Sequence, residues 1–259
     1  MLRDVKAWKL TPIEQKTGAM LNMIMPYFDP GLLMLTVIFL VVGMVVSGRL
    51  KNKFAAYSQV PLRSGMSGKE VAEKMLCDHQ IFDVKVESVE GHLSDHYNPA
   101  AKIVNLSRDV YEGRSISSAA VAAHECGHAV QHATAYAWLN MRTTLVPIVN
   151  FTSMLMNFVL FGMAFLAFAS PMMGNTALMI IIIGQAMVTL FSLITLPVEI
   201  DASKRALAWL DSAYIARTSE ESAKAKDALK WAAYTYVVAA LASIATLLYF
   251  ILRFTGNRN

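Results

Sequence analysis

Four long apolar stretches constrain this chain more than any other feature. Residues 31–47, 145–168, 177–198 and 231–252 are each apolar over about the 20 residues that a helix needs to cross a bilayer, the first being the shortest. The composition agrees. Hydrophobic residues make up 55% of the 259 and charged residues only 16%, against about a quarter charged in soluble globular proteins. Pro171-Met172-Met173-Gly174 and a few neighbours separate the second stretch from the third, which predicts a helical hairpin. The first stretch begins thirty residues into the chain without a clear small-residue cleavage site, so it reads as a retained anchor and not as a signal peptide.

Positive charge orients the four spans. Arg49, Lys51 and Lys53 follow the first, Arg142 precedes the second, and Lys204, Arg205, Lys224, Lys226 and Lys230 lie between the third and fourth. The hairpin turn has none. The positive-inside rule therefore puts 49–144 and 199–230 in the cytoplasm and both termini outside. The net charge of +4, with its basic residues near span ends, fits contact with a lipid bilayer and not nucleic-acid binding. Cys77 and Cys126 have no paired spacing, which excludes a disulfide framework and a cysteine-rich metal site.

The resulting layout is an N-terminal tail (1–30), a first span (31–48), a cytoplasmic domain (49–144), spans at 145–169 and 175–198, a cytoplasmic segment (199–230), a last span (231–252) and a short tail (253–259). The fold class is a mainly α membrane protein with four transmembrane helices and a small α+β cytoplasmic domain carrying a His-Glu-x-x-His helix. Within that domain Ser67-Gly68-Lys69-Glu70 has capping-box spacing, and Val71, Met75 and Leu76 follow it as one helical stripe. Alternation over 82–89 predicts a strand, 102–106 a second, and the polar 92–99 between them a turn.

After this strand pair comes His124-Glu125-Cys126-Gly127-His128, led in by the small residues of 115–123. On a helix, residues four apart share a face, so His124 and His128 can direct two imidazoles at one ion. Glu125, beside the first of them, is placed to act as general base on a water activated by that ion. Cys126 is a small apolar filler.

A catalytic zinc takes three protein ligands and an open position. Glu199 is the preferred third ligand: it follows Pro197 at the predicted end of the third span, where an acid is costly without a partner. His92, His96 and His132 are the alternatives, although three histidines in an i, i+4 series line up along an axis and do not converge. The alternative to metal ligation is that Glu199 is an interfacial acid paired with Lys204 or Arg205. Position 134 is Thr, which excludes the extended metzincin pattern. Asp201 orients a ligand or pairs with a basic residue. His96 and Tyr97 are candidate oxyanion donors, and a strand edge ahead of the helix suits an extended substrate.

These blocks together resemble the YugP-type neutral zinc metallopeptidases, a bacterial family of small multi-span membrane proteins. The resemblance runs from about Tyr27 to the fourth span. It rests on Tyr27-Phe28-Asp29-Pro30, Asp95-His96-Tyr97-Asn98-Pro99, the 122–129 block around the metal motif, and Leu196-Pro197-Val198-Glu199-Ile200-Asp201-Ala202-Ser203. It implies a Zn2+ cofactor held by His124, His128 and Glu199, with Glu125 as catalytic glutamate. Residues 1–24 extend beyond the usual family start, which makes Met25 an alternative initiation site. HtpX-like membrane proteases, a more distant group, carry an Ala-Asp pair where this chain has Ala202-Ser203.

The expected activity is zinc-dependent endopeptidase cleavage of membrane or unfolded proteins at the cytoplasmic face of the inner membrane. A non-catalytic scaffold with a structural zinc site is the main rival. A metal transporter is disfavoured because the spans hold almost no ionisable residues.

Overall fold

The computed structural model describes residues 30–91, 94–166 and 171–256. The tail, Met25 and most of the Tyr27–Pro30 block lie outside them, as does His92. The chain is mostly helical. In order it forms α1 (Pro30–Ser58), α2 (Gly68–Asp78), β1 (Lys85–Val89), β2 (His96–Asn98), β3 (Ile103–Ser107) and α3 (Arg108–Tyr111). Then follow α4 (Ile116–Ala133), α5 (Ala137–Leu166), α6 (Pro171–Ser212) and α7 (Ser219–Gly256).

Among the described residues, three helices are long and apolar enough to cross a membrane: α1, α6 from Thr176, and α7. Leu33, Met34, Leu40, Met44 and Val45 are all exposed on α1, which suits lipid and not water. The expected span at 145–169 falls on α5, and its end, 167–169, lies outside the described residues. Pro171–Gly174, expected in the hairpin turn, is already the first turn of α6.

Buried polar contacts and small residues join these helices. Gln185 Nε2 and Thr189 Oγ1 of α6 donate to the Ser243 carbonyl of α7 at 3.2 and 3.1 Å. A Cβ on Gly184 would collide with Met156 of α5. Lys53 and Tyr57 near the end of α1 meet Asp227 near the start of α7, at 2.8 and 2.6 Å.

The extramembrane part is not a separate unit. Its core joins Val71 and Met75 of α2, Val104 and Leu106 of β3, Ile116, Ala120 and Ala123 of α4, Trp209 and Leu210 of α6, and Ala225 and Leu229 of α7. α6 does not end at Pro197, as the sequence suggested, but continues unbroken to Ser212. A proline costs a helix one hydrogen bond and some steric strain, and here α6 is held in place by packing against α4 and α7. The segment 199–230 is therefore mostly helix shared with the core.

The sheet order is β1-β3-β2, with β1 parallel and β2 antiparallel to β3. β2 is a correction to the sequence reading, which took 92–99 as a turn. Two side chains bracket this short strand. Asp95 accepts from the Ser107 backbone and hydroxyl at 2.7 and 3.0 Å, and Asn98 Oδ1 accepts from the Ala100 and Ala101 N–H groups. Hydrophobic alternation is invisible in three residues, so a polar bracketed strand reads as a loop.

α2 is capped as its sequence predicts. Ser67 Oγ accepts from the Glu70 N–H at 3.2 Å, and Glu70 accepts from the Ser67 N–H at 2.7 Å and from Arg114 at 2.8 Å. The Ser67 N–H and Arg114 hold the Glu70 carboxyl below its ordinary pKa. A depressed carboxylate stabilises the fold above its unfolded value and loses that contribution as pH falls through the folded one. Ser67→Ala should therefore cost about 1 kcal/mol, read as a lower thermal midpoint in detergent. The deficit of Glu70→Gln relative to wild type should shrink as the pH is taken from neutral to below 4.5.

Candidate metal centre

α4 runs through the centre of the extramembrane core, and most of Ile116–Ala133 is buried. Its small residues let neighbours approach closely. Ser115 opens it by accepting from the Ser118 N–H at 3.2 Å. It closes in a Schellman arrangement, with Tyr136 N–H on the Gln131 carbonyl and Ala135 N–H on that of His132. At Gly127 an added Cβ would lie 2.6 Å from the Ala202 carbonyl oxygen of α6. No side chain fits there, so α4 and α6 meet backbone to backbone.

That contact brings Glu199 to the histidines. His124 Nε2 and His128 Nε2 lie 3.4 and 3.6 Å from Glu199 Oε2. His124, His128 and Glu199 form the metal-competent cluster among the described residues, their ligating atoms all within 4.8 Å of one another. Glu199 is only 2% exposed, and its Oε2 is buried without a hydrogen-bond partner. Its Oε1 accepts from Arg142 Nη1 at 3.1 Å. An unpartnered buried carboxylate oxygen is costly, and this one faces two imidazole nitrogens. An N,N,O donor set of this kind suits zinc, which would hold Glu199 through one oxygen while Arg142 keeps the other.

The outer nitrogens are fixed as well. His124 Nδ1 lies 3.1 Å from Ser203 Oγ, and His128 Nδ1 lies 3.0 Å from Gln131 Oε1. Fully buried Gln131 donates in turn to the Val198 carbonyl and to Asp201, both at 2.8 Å, and Arg205 donates to Asp201 at 2.6 Å. With its amide so engaged, Gln131 offers His128 an acceptor. The proton then sits on Nδ1, and Nε2 is left free for a metal. Burial pushes His128 towards its neutral form, but Glu199, Glu125 and Gln131 together outweigh this and hold its pKa above the ordinary histidine value. The cluster thus favours positive charge at its centre.

Glu125 is one residue from His124, and its Oε2 accepts from the Tyr97 N–H of β2 at 3.0 Å. Tyr97 pairs with Val104 of β3, yet its own N–H points the other way, to the open edge of the sheet. Burial raises the Tyr97 phenol pKa, and its hydroxyl lies in hydrogen-bond contact with His132 Nδ1 at 3.2 Å. His132 is engaged there and lies outside the metal cluster. The His96 ring is turned to the other face of β2, between the Ser94 carbonyl at 2.8 Å and Asn105 at 3.1 Å. It is not among the groups gathered at the cluster. Burial pushes the Cys126 thiol pKa far up, consistent with a packed neutral group whose Sγ lies 3.6 Å from the Ala72 carbonyl.

The sequence reading missed several members of this site. Arg142 had registered only as a charge at a span end, whereas it pairs with Glu199 in place of Lys204 or Arg205. Gln131 and Ser203 were not singled out. Each lies one turn along its helix from a candidate ligand, Gln131 three residues after His128 and Ser203 four after Glu199. Tyr236 of α7 also lies against Glu199, with Glu125 and Arg142 in electrostatic range.

Residues 32–255 match the model of a family described as "Putative neutral zinc metallopeptidase". The chain belongs to that family. It is 42% identical over 214 residues to the "Putative membrane protease YugP" of Bacillus subtilis (strain 168), a match covering 82% of this chain and 91% of the relative. No solved structure matches it. With its three apolar helices, the chain is a membrane-associated member of the family.

Two substitutions test this architecture. Gln131→Met keeps the volume but removes the acceptor of the His128 Nδ1 proton, and should weaken zinc binding by about 10–100-fold in a chelator competition. Gly127→Ala should force α4 and α6 apart, giving purified protein with less zinc and a lower thermal midpoint than wild type.

Proposed function

We propose that this protein is a membrane-embedded zinc endopeptidase cleaving membrane or unfolded protein segments at the cytoplasmic membrane surface. The observation that carries the reading is the convergence, on one buried point, of His124, His128 and the unpartnered Glu199 Oε2. The carboxylate of Glu125, next along α4 from His124, is held by the edge strand.

Zinc bound by these three side chains supplies Lewis-acid chemistry, polarising a carbonyl and lowering the pKa of water. Glu125 accepts the proton of the attacking water and returns it to the departing amine. The Tyr97 N–H fixes one oxygen of Glu125 and leaves the other for that proton. An extended substrate adds along the open edge of β2, to which the antiparallel pattern also turns the Tyr97 carbonyl. This reading gives Tyr97 a positioning role through its backbone. Arg142 keeps Glu199 Oε1 occupied, and the Gln131–Asp201–Arg205 chain keeps His128 in one tautomer.

The cytoplasmic orientation rests on charge. Lys53 near the end of α1 pairs with Asp227 near the start of α7, so the basic ends of these two helices lie on one side. That side also carries Arg142 and Arg205, both bonded into the site. In this reading α5 is a fourth span, and the metal centre sits where α5 and α6 leave the membrane.

In detergent, the wild type should degrade an unfolded model protein. Glu125→Gln should lose roughly 10²–10⁴-fold in rate at unchanged zinc content. Equal cleavage by both proteins would overturn the assignment.

A further inference from the structure

Hydrolysis of a peptide bond places negative charge on the carbonyl oxygen, and a preorganised donor at that oxygen lowers the barrier. The polar groups nearest the cluster are mostly committed elsewhere. The Tyr97 phenol is on His132, the His96 ring on Asn105 and the Ser94 carbonyl, and Arg142 on Glu199 Oε1. Tyr236 differs from all of these.

Helix geometry explains why it reaches the site. α6 and α7 run antiparallel, and Thr189 and Ser243 lie side by side, 3.1 Å apart across the pair. From Thr189 to Glu199 is ten residues, or about 15 Å along α6 at 1.5 Å per residue. From Ser243 back to Tyr236 is seven residues, two turns on the same face and about 10.5 Å along α7. The Tyr236 backbone therefore stands about 4–5 Å short of the level of Glu199. Helical side chains lean towards their own N-terminus, which for α7 is the direction of Glu199. A tyrosine spans the remainder. Its phenol lies alongside the Glu199 carboxylate, with the Glu125 carboxylate and Arg142 in electrostatic range. A phenol alongside the candidate ligand, with the candidate base in electrostatic range, borders the space that the reacting carbonyl must enter.

We propose that Tyr236 is a catalytic residue whose phenolic O–H hydrogen-bonds the scissile carbonyl oxygen as that oxygen gains charge. The proton stays on the phenol throughout. In the resting site the phenol lies alongside the Glu199 carboxylate, and its O–H turns to the oxyanion as that develops. The water proton still goes to Glu125 and then to the leaving amine, so no further reactant is needed. The assignment rests on the peptidase reading above and places part of the catalytic machinery on the last helix, more than a hundred residues from the metal motif.

The test is Tyr236→Phe, which keeps the ring and removes only the hydroxyl. kcat on an unfolded model protein should fall about 10²–10³-fold, with KM changed little and zinc content equal to wild type. In parallel, a phosphinate peptide that mimics the charged tetrahedral species should bind the variant more weakly by a similar factor. The corresponding uncleaved peptide should bind Glu125→Gln and Glu125→Gln/Tyr236→Phe equally. Unchanged kcat and unchanged phosphinate binding overturn the proposal. So does a rate loss tracking lost zinc, which makes Tyr236 a positioning residue for Glu199. If the wild type cleaves nothing, the peptidase reading fails and takes this assignment with it. Cleavage by wild type and variant alike removes Tyr236 alone.

Discussion

The close approach of α4 to α6 is the contact on which the rest of this molecule depends. Gly127 lets the Ala202 backbone sit where any side chain would intrude, and the two helices then share a register. In that register Glu199 faces His124 and His128, Ser203 faces the outer nitrogen of His124, and Gln131 spans from His128 to the Val198 carbonyl. A few tenths of an ångström at Gly127 are therefore felt at every atom of the cluster. Free space in the metal motif is as much a requirement as its histidines.

The second organising feature is the burial of charge where apolar helices meet a polar site. Glu199 sits at the end of the apolar run of α6 and is compensated from three sides: Arg142 on one oxygen, two imidazoles towards the other, and Tyr236 alongside. An isolated carboxylate there would be expensive. The network behind it extends to Asp201 and Arg205, which reach the edge of the site and anchor the buried amide of Gln131. Electrostatics and packing thus coincide, since the same helix contact that fills the core also delivers the compensating groups.

Much of this was legible in the chain. Long apolar runs marked α1, α6 and α7, because a 3.6-residue helix in lipid needs only length and hydrophobicity to declare itself. The Ser67–Glu70 box and the Val71–Met75–Leu76 stripe marked α2, since both are local and periodic. The extent of α6 was not legible. Pro197 is a local stop signal, overridden by packing from residues far away in sequence. β2 was hidden for a related reason: three polar residues held by Asp95 and Asn98 show no alternation, and their strand character comes from β3.

The sequence by itself determined which residues are candidates for a metal site: two histidines one turn apart, a glutamate between them, and a distant acid at the end of an apolar run. Spacing on one helix is enough for that, because a turn of α-helix fixes which side chains share a face. Only the tertiary structure decided how the distant groups meet. It turned one oxygen of Glu199 to the imidazoles and the other to Arg142, gave Tyr97's backbone to Glu125, and brought Tyr236 across from the last helix. Those placements depend on how α4, α6 and α7 pack and slide against one another, and no local pattern in the chain encodes that register.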